Sequence, residues 1–211
     1  MKKNYFLATS LVLLILSIIG FSDNLFTNIC QKSNSDPKFV IHGLFWFVWF
    51  IILVIQSNFI RKGDFKAHRK LGMLGMGAAI GVTLSTLYIF IETYDGWDNM
   101  SDFVKASRFF LPSFSIMVLL GYLNRNNPVR HKRYLYLGTL FPLIPILDRA
   151  SGRIQFGLDL FNPDLFIILV WNGLFISFFV YDWVTLRRIH PITYWSFLWF
   201  YLVWTICIYT S

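Results

Sequence analysis

The sequence predicts an all-α integral membrane protein of seven transmembrane helices, and three observations predict it. Of its 211 residues, 56% are hydrophobic and only 14% charged, more apolar surface than a soluble domain of this size can hide. The apolar residues run in unbroken blocks close to the ~20 that a helix needs to cross a bilayer core of roughly 30 Å. No block alternates over roughly ten residues as a membrane β-strand does. Lipid gives backbone groups no partner outside a helix or a closed barrel, so the blocks are read as helices.

Taken in order, the blocks predict spans over Phe6–Phe21, Val40–Ile60, Leu71–Ile91, Phe109–Leu123, Tyr134–Leu147, Leu165–Trp183 and Ile192–Tyr209. The first also has the basic start and apolar core of a signal peptide, but no clean small-x-small cleavage site follows, which favours a retained helix. The fourth and fifth are short and are expected to extend into flanking polar residues. The organisation is one polytopic domain, 1–211, with helix 1 at 6–21 and three hairpins at 40–91, 109–147 and 165–209.

Charge sets the expected orientation. A cytoplasmic N-terminus puts Lys2, Lys3, Arg61, Lys62, Lys66, Arg69, Lys70, Arg125, Arg130, Lys132, Arg133, Arg187 and Arg188 inside, thirteen of the 19 Lys and Arg. The outer segments keep most of the acids, among them Asp95, Asp98, Asp102 and Asp159. By the positive-inside rule the N-terminus is cytoplasmic and the C-terminus outside. The net charge of +8 therefore points to anionic headgroups on the cytoplasmic side and not to nucleic acid, because the cations sit between apolar blocks. Cys30 and Cys207 form no metal or redox motif, and whether they pair is open.

The same short segments carry an unusual layout. "HRKLGMLG" from His68 and "HKRYLYLG" from His131 each put two cations after a histidine and Leu-Gly six and seven positions on. "RRIHP" sets His190 behind Arg187 and Arg188. The hairpins are thus expected to form a weak internal repeat, related by an axis along the membrane normal. The expected topology places His68, His131 and His190 at one membrane level, each at the start of an ascending helix. They are expected to converge, because Gly72, Gly75 and Gly138 lie one or two turns inward and let backbones approach. Asp182 is expected beside them, as a fourth ligand, as the partner that fixes an imidazole tautomer, or in a salt bridge to Arg187 or Arg188. The nearby cations, Arg133 among them, are expected to reach the headgroup layer.

Two cofactors suit such a set. A haem takes two imidazoles across its iron, with Arg or Lys receiving the propionates. A divalent metal such as zinc takes His68, His131 and His190, or two of them with Asp182, and keeps a position open for water. The function expected first is a haem b redox or electron-transfer protein. The alternatives are a metal-dependent intramembrane hydrolase and a non-enzymatic subunit that binds lipid or a partner. A second polar set, His42, Glu92, Arg108, Asp148 and Arg149, is expected near the outer ends of the helices, with Asp148 and Arg149 as an ion pair. Asn172, within the sixth span, is expected to bond between helices.

The run "HGLFWFVWFIILVIQ" (His42–Gln56), followed by "HRKLG", "HKRYLYLGTL" and "YDWVTLRRIHPITYW", resembles a family of small bacterial membrane proteins. The shared pattern is His-Gly, Gln, His-Arg-x-Leu-Gly, His-Lys-Arg and His-Pro, in that order, over residues 42 to 195. The resemblance implies a multi-pass protein of the bacterial inner membrane and weight on His42, Gln56, His68, His131, Asp182 and His190, without naming a role. "HG…Q…HRKLG" is also similar to the His-plus-His-x-x-Leu-Gly pattern of b-type membrane cytochromes. Those hold two haems in matched pairs, whereas a one-to-three split of histidines implies at most one, on the inner side. The sequence has no lysine inside the seventh span for a retinal Schiff base and no Walker, kinase or Gly-x-Ser-x-Gly motif.

Overall fold

The computed structural model describes residues 4–21, 36–155 and 162–210. Lys2, Lys3, Cys30 and Asp159 lie outside the described residues, so the pairing of Cys30 with Cys207 does too. Among the described residues the chain is helical, without strands. The helices are α1 (Tyr5–Gly20), α2 (Pro37–Lys62), α3 (Phe65–Glu92), α4 (Asp102–Leu123), α5 (Pro128–Leu140), α6 (Ile144–Gln155), α7 (Pro163–Leu186) and α8 (Pro191–Tyr209). A 3-10 turn, Phe141–Leu143, joins α5 to α6.

Five of these, α2, α3, α4, α7 and α8, are long and apolar enough to cross a membrane. Between 22% and 33% of each apolar stretch is buried within the chain, so most of this apolar surface faces outward, as lipid permits and water does not. The fourth expected span does extend into its polar flank, back to Asp102. The fifth differs from expectation, for it is not one helix. Pro142 has no N–H and adopts non-helical angles (φ −88°, ψ 33°), which ends α5. Trp171 Nε1–H donates to the Leu140 carbonyl at this break, at 2.7 Å. The α1 helix, at 16 residues, covers about 24 Å at 1.5 Å per residue.

The chain divides into two compact units, Met1–Ile89 with Pro145–Val170 and Phe90–Ile144 with Trp171–Ser211. In the first, α1 packs on α2, and Gly20 lies against the backbone of α6 at Ile146 and Ala150. In the same unit Gly72 and Gly75 of α3 face Gln56 and Ile52 of α2. The second unit is built on α4, which packs on α5 and α8. Its centre is aromatic: Phe110 stacks on Phe141 and Phe200 at 5.6 and 5.3 Å, with Trp171 edge-on at 6.0 Å. Gly138 of α5 meets α4 where a Cβ would come within 2.7 Å of Met117 Cβ. Between α7 and α8, the Tyr201 hydroxyl donates to Asn172 Oδ1, the interhelical bond expected of that asparagine.

Candidate functional site

The two leading histidines sit in one local frame. Asp64 opens α3, its side chain accepting from the Ala67 N–H at 2.9 Å and its carbonyl from the His68 N–H at 3.1 Å. Asn127 opens α5 likewise, accepting from the Val129 and Arg130 N–H groups, with its carbonyl accepting from the His131 N–H at 2.9 Å. Both caps satisfy first-turn donors that the helix cannot. His68 and His131 are therefore each four residues past an Asx cap. His190 breaks the pattern, because it is itself the residue that caps α8.

The histidine rings are held differently. His131 Nδ1 lies 2.8 Å from the Gly121 carbonyl. A carbonyl only accepts, so Nδ1 carries the proton and Nε2 is the basic nitrogen. His42 Nδ1 lies 3.2 Å from Ser85 Oγ and 3.3 Å from Thr86 Oγ1. Both hydroxyls already donate to the Val82 carbonyl, so here too Nδ1–H is the donor. His190 has the opposite tautomer when neutral: its Nδ1 accepts from the Ile192 N–H at 3.2 Å, which leaves the proton on Nε2. At His68 the backbone carbonyl accepts from Gln56 Nε2 at 3.0 Å, joining α2 to α3.

Asp182 has partners on both carboxylate oxygens. One carboxylate oxygen accepts from Arg133 Nη2, with both side chains fully buried. The other accepts from the His190 N–H at 3.0 Å and the Thr193 hydroxyl at 2.6 Å. The carboxylate thus stands at the N-terminus of α8, where the helix dipole favours a negative charge. Arg133 Nη1 also donates to the Val129 carbonyl at 2.7 Å. The expected pairing of Asp182 with Arg187 or Arg188 is replaced by Arg133, which was expected among headgroups. The periodicity held a signal for this: Arg133, Tyr136, Leu137 and Leu140 share one helical face, and all are buried.

His190 is half-buried, and its pKa lies below the usual 6.5. Burial is the main cause, with Arg133, Arg130 and Arg188 adding to it and Asp182 opposing. A neutral ring keeps the Nδ1 lone pair that caps α8.

The remaining candidates are placed as follows. His68 belongs to the first unit, and His131, His190 and Asp182 to the second. Asp182 meets the backbone of His190, not its ring. Among the described residues no group of three or more His, Cys, Asp or Glu side chains is arranged to hold a metal ion. The outer set is divided as well. In the first unit, Asp148 is exposed and Arg149 lies over the Phe21 ring at 5.0 Å, in place of the expected ion pair. In the second, Glu92 is exposed. Arg108 there packs over Phe90 and Tyr94 at 4.9 and 5.1 Å and donates to the Phe90 carbonyl at 3.2 Å.

Compared with known protein families, curated proteins and solved structures, the chain matches none.

Proposed function

We propose that this chain is a seven-pass protein of a bacterial inner membrane, N-terminus cytoplasmic and C-terminus outside, that binds haem b and works in electron transfer. The five long apolar helices support most of the passes. The short α1 and the broken segment 128–155 supply the other two, a break in lipid being tolerable where a side chain takes up the freed carbonyl. The excess of Lys and Arg in the inner segments supports the orientation, and the exposed ones, Arg61, Lys62, Arg69, Lys70, Arg125 and Arg130 among them, also meet anionic headgroups. Cysteine labelling at Asn126 and Asp98 tests the topology. Labelling of both from one side of the membrane would overturn it.

The haem reading is carried by one observation, the hydrogen bond from His131 Nδ1–H to the Gly121 carbonyl at 2.8 Å. Ligating imidazoles usually hold their second nitrogen in this way, which orients the ring and raises the basicity of Nε2. His131 would bind the iron, and the adjacent, exposed Arg130 would receive a propionate, whereas the Lys132 ammonium is already held by the Tyr181 hydroxyl at 2.7 Å. Bound haem supplies one-electron chemistry. His190 does not fit as a ligand through Nε2, since that nitrogen carries the proton. The metal-hydrolase alternative draws no support from Asp182, whose oxygens are occupied.

The test is an absorption spectrum of the purified protein expressed with added haem. A Soret band is expected that is lost in His131→Ala, retained in His190→Ala, and examined in parallel in His68→Ala. Absence of the band, or a band unchanged in His131→Ala, would sink the haem reading and leave the histidines as contacts for lipid headgroups.

A further inference from the structure

The first turns of α5 and α8 lie side by side. The two helices pack on each other, and Asp182 joins them. One of its oxygens holds Arg133 of α5, and the other holds the His190 N–H that opens α8. Each helix turns the positive end of its dipole toward this place. The side chains add to that field, for Arg133, Arg130 and Arg188 all act on the His190 imidazole, with Asp182 set against them. The ion pairs among the described residues are Lys38 with Asp36 and Arg133 with Asp182, so the one acid here is engaged by Arg133. Arg130 and Arg188 are exposed, and no acid among the described residues offsets their two charges.

Donors also exceed acceptors at this place. His190 Nδ1 accepts from the Ile192 N–H, so the Nε2–H is left to donate elsewhere. Two nitrogens of the Arg133 guanidinium are engaged, but its Nε–H is buried and has no acceptor among the described residues. A buried donor of this kind costs free energy unless something outside the chain supplies an acceptor.

Charge and donors together select the partner. A phosphate monoester carries about −1.5 to −2 at pH 7 and three strong acceptor oxygens. That matches two uncompensated guanidinia, whose forks suit phosphate oxygens, and one imidazole N–H. A phosphate diester, as in phosphatidylglycerol, has a single charge and leaves one arginine unmatched.

We propose that Arg130, Arg188 and His190 form a binding site for a phosphate monoester, the guanidinia on its oxygens and His190 Nε2–H donating to another. Its source is a lipid headgroup such as phosphatidic acid or a soluble phosphorylated molecule, which share this chemistry. The site rests on the reading of the inner cations as anion contacts and not on haem at His131. A bound anion favours the charged imidazole, so binding and protonation of His190 strengthen each other.

The experiment uses the full chain, free of haem, in phosphatidylcholine nanodiscs and follows the His190 imidazole by proton NMR, its resonance identified by its loss in His190→Asn. One arm adds glycerol 3-phosphate, with the diester glycerophosphoglycerol as comparison. The other places phosphatidic acid in the nanodisc, with phosphatidylglycerol at the same mole fraction as comparison. A saturable change with the monoester is expected. The His190 titration midpoint should then rise by about one pH unit, equivalent to roughly tenfold tighter binding to the charged ring. Arg130→Gln and Arg188→Gln should each weaken binding about three- to fivefold. Arg187→Gln should leave it unchanged, since that charge is not among those acting on His190. A response in the soluble arm assigns a soluble ligand and one confined to the nanodisc arm assigns a lipid, and either supports the site. No saturable change in either arm, or an equal loss in Arg187→Gln and Arg188→Gln, would overturn it. So would an equal response to monoester and diester, which would leave general headgroup attraction standing.

Discussion

The carboxylate of Asp182 meets the guanidinium of Arg133 with neither side chain exposed, and the same carboxylate holds the His190 N–H and the Thr193 hydroxyl. One acid therefore ties α5 and α7 to the first turn of α8. A buried ion pair adds little net stability, but removing one partner leaves an uncompensated charge.

Arg133→Met should accordingly cost about 3–5 kcal/mol in the unaltered chain. The same change should cost far less in an Asp182→Asn background, where the amide oxygen still accepts from His190 and Thr193 without a charge. Unfolding of the four proteins in detergent gives the coupling. Strictly additive losses would show that the two groups do not stabilise one another.

Close approach of α4 and α5 rests on Gly138, because a Cβ there would stand 2.7 Å from Met117 Cβ. A β-carbon is fixed to its backbone and cannot swing aside, so the helices must separate. Gly138→Ala should destabilise by about 1–3 kcal/mol, as overpacking does. At Gly43, with nothing within 4 Å, the same substitution should stabilise slightly, since alanine is the better helix former. Thermal midpoints of the two variants would check the contrast.

Stability should depend on the His190 proton. Its folded pKa is below 6.5, so above 6.5 both folded and unfolded states hold a neutral ring and this group contributes no slope. As pH falls through 6.5 the unfolded state takes up the proton first, and stability declines until the folded ring is protonated too. His190→Asn keeps a capping side chain that does not titrate. It should flatten that part of the profile of thermal midpoint against pH, and a slope unchanged in the variant would assign the effect elsewhere.

Arg187 follows α7 with a left-handed backbone, φ 58°, a region that disfavours residues with a Cβ. Arg187→Gly should relieve this and raise stability by up to about 1 kcal/mol. A loss on substitution, measured by chemical unfolding, would mean that the arginine side chain contributes more than its backbone costs.

What the sequence by itself determined is the helical class and the placement of most helices. Apolar blocks are read locally, and Pro37, Pro128, Pro163 and Pro191 each open a helix because proline's missing N–H is no loss at that position. The frame of His68 and His131, four residues after Asp64 and Asn127, is likewise a matter of spacing. The tertiary structure alone decided which partners these side chains meet. The choice of Arg133 over Arg187 or Arg188 for Asp182 depends on which helical faces turn inward, and the tautomers of His131 and His190 depend on which backbone group each ring finds. Pairing across 49 residues, as between Arg133 and Asp182, follows from packing that no local pattern records.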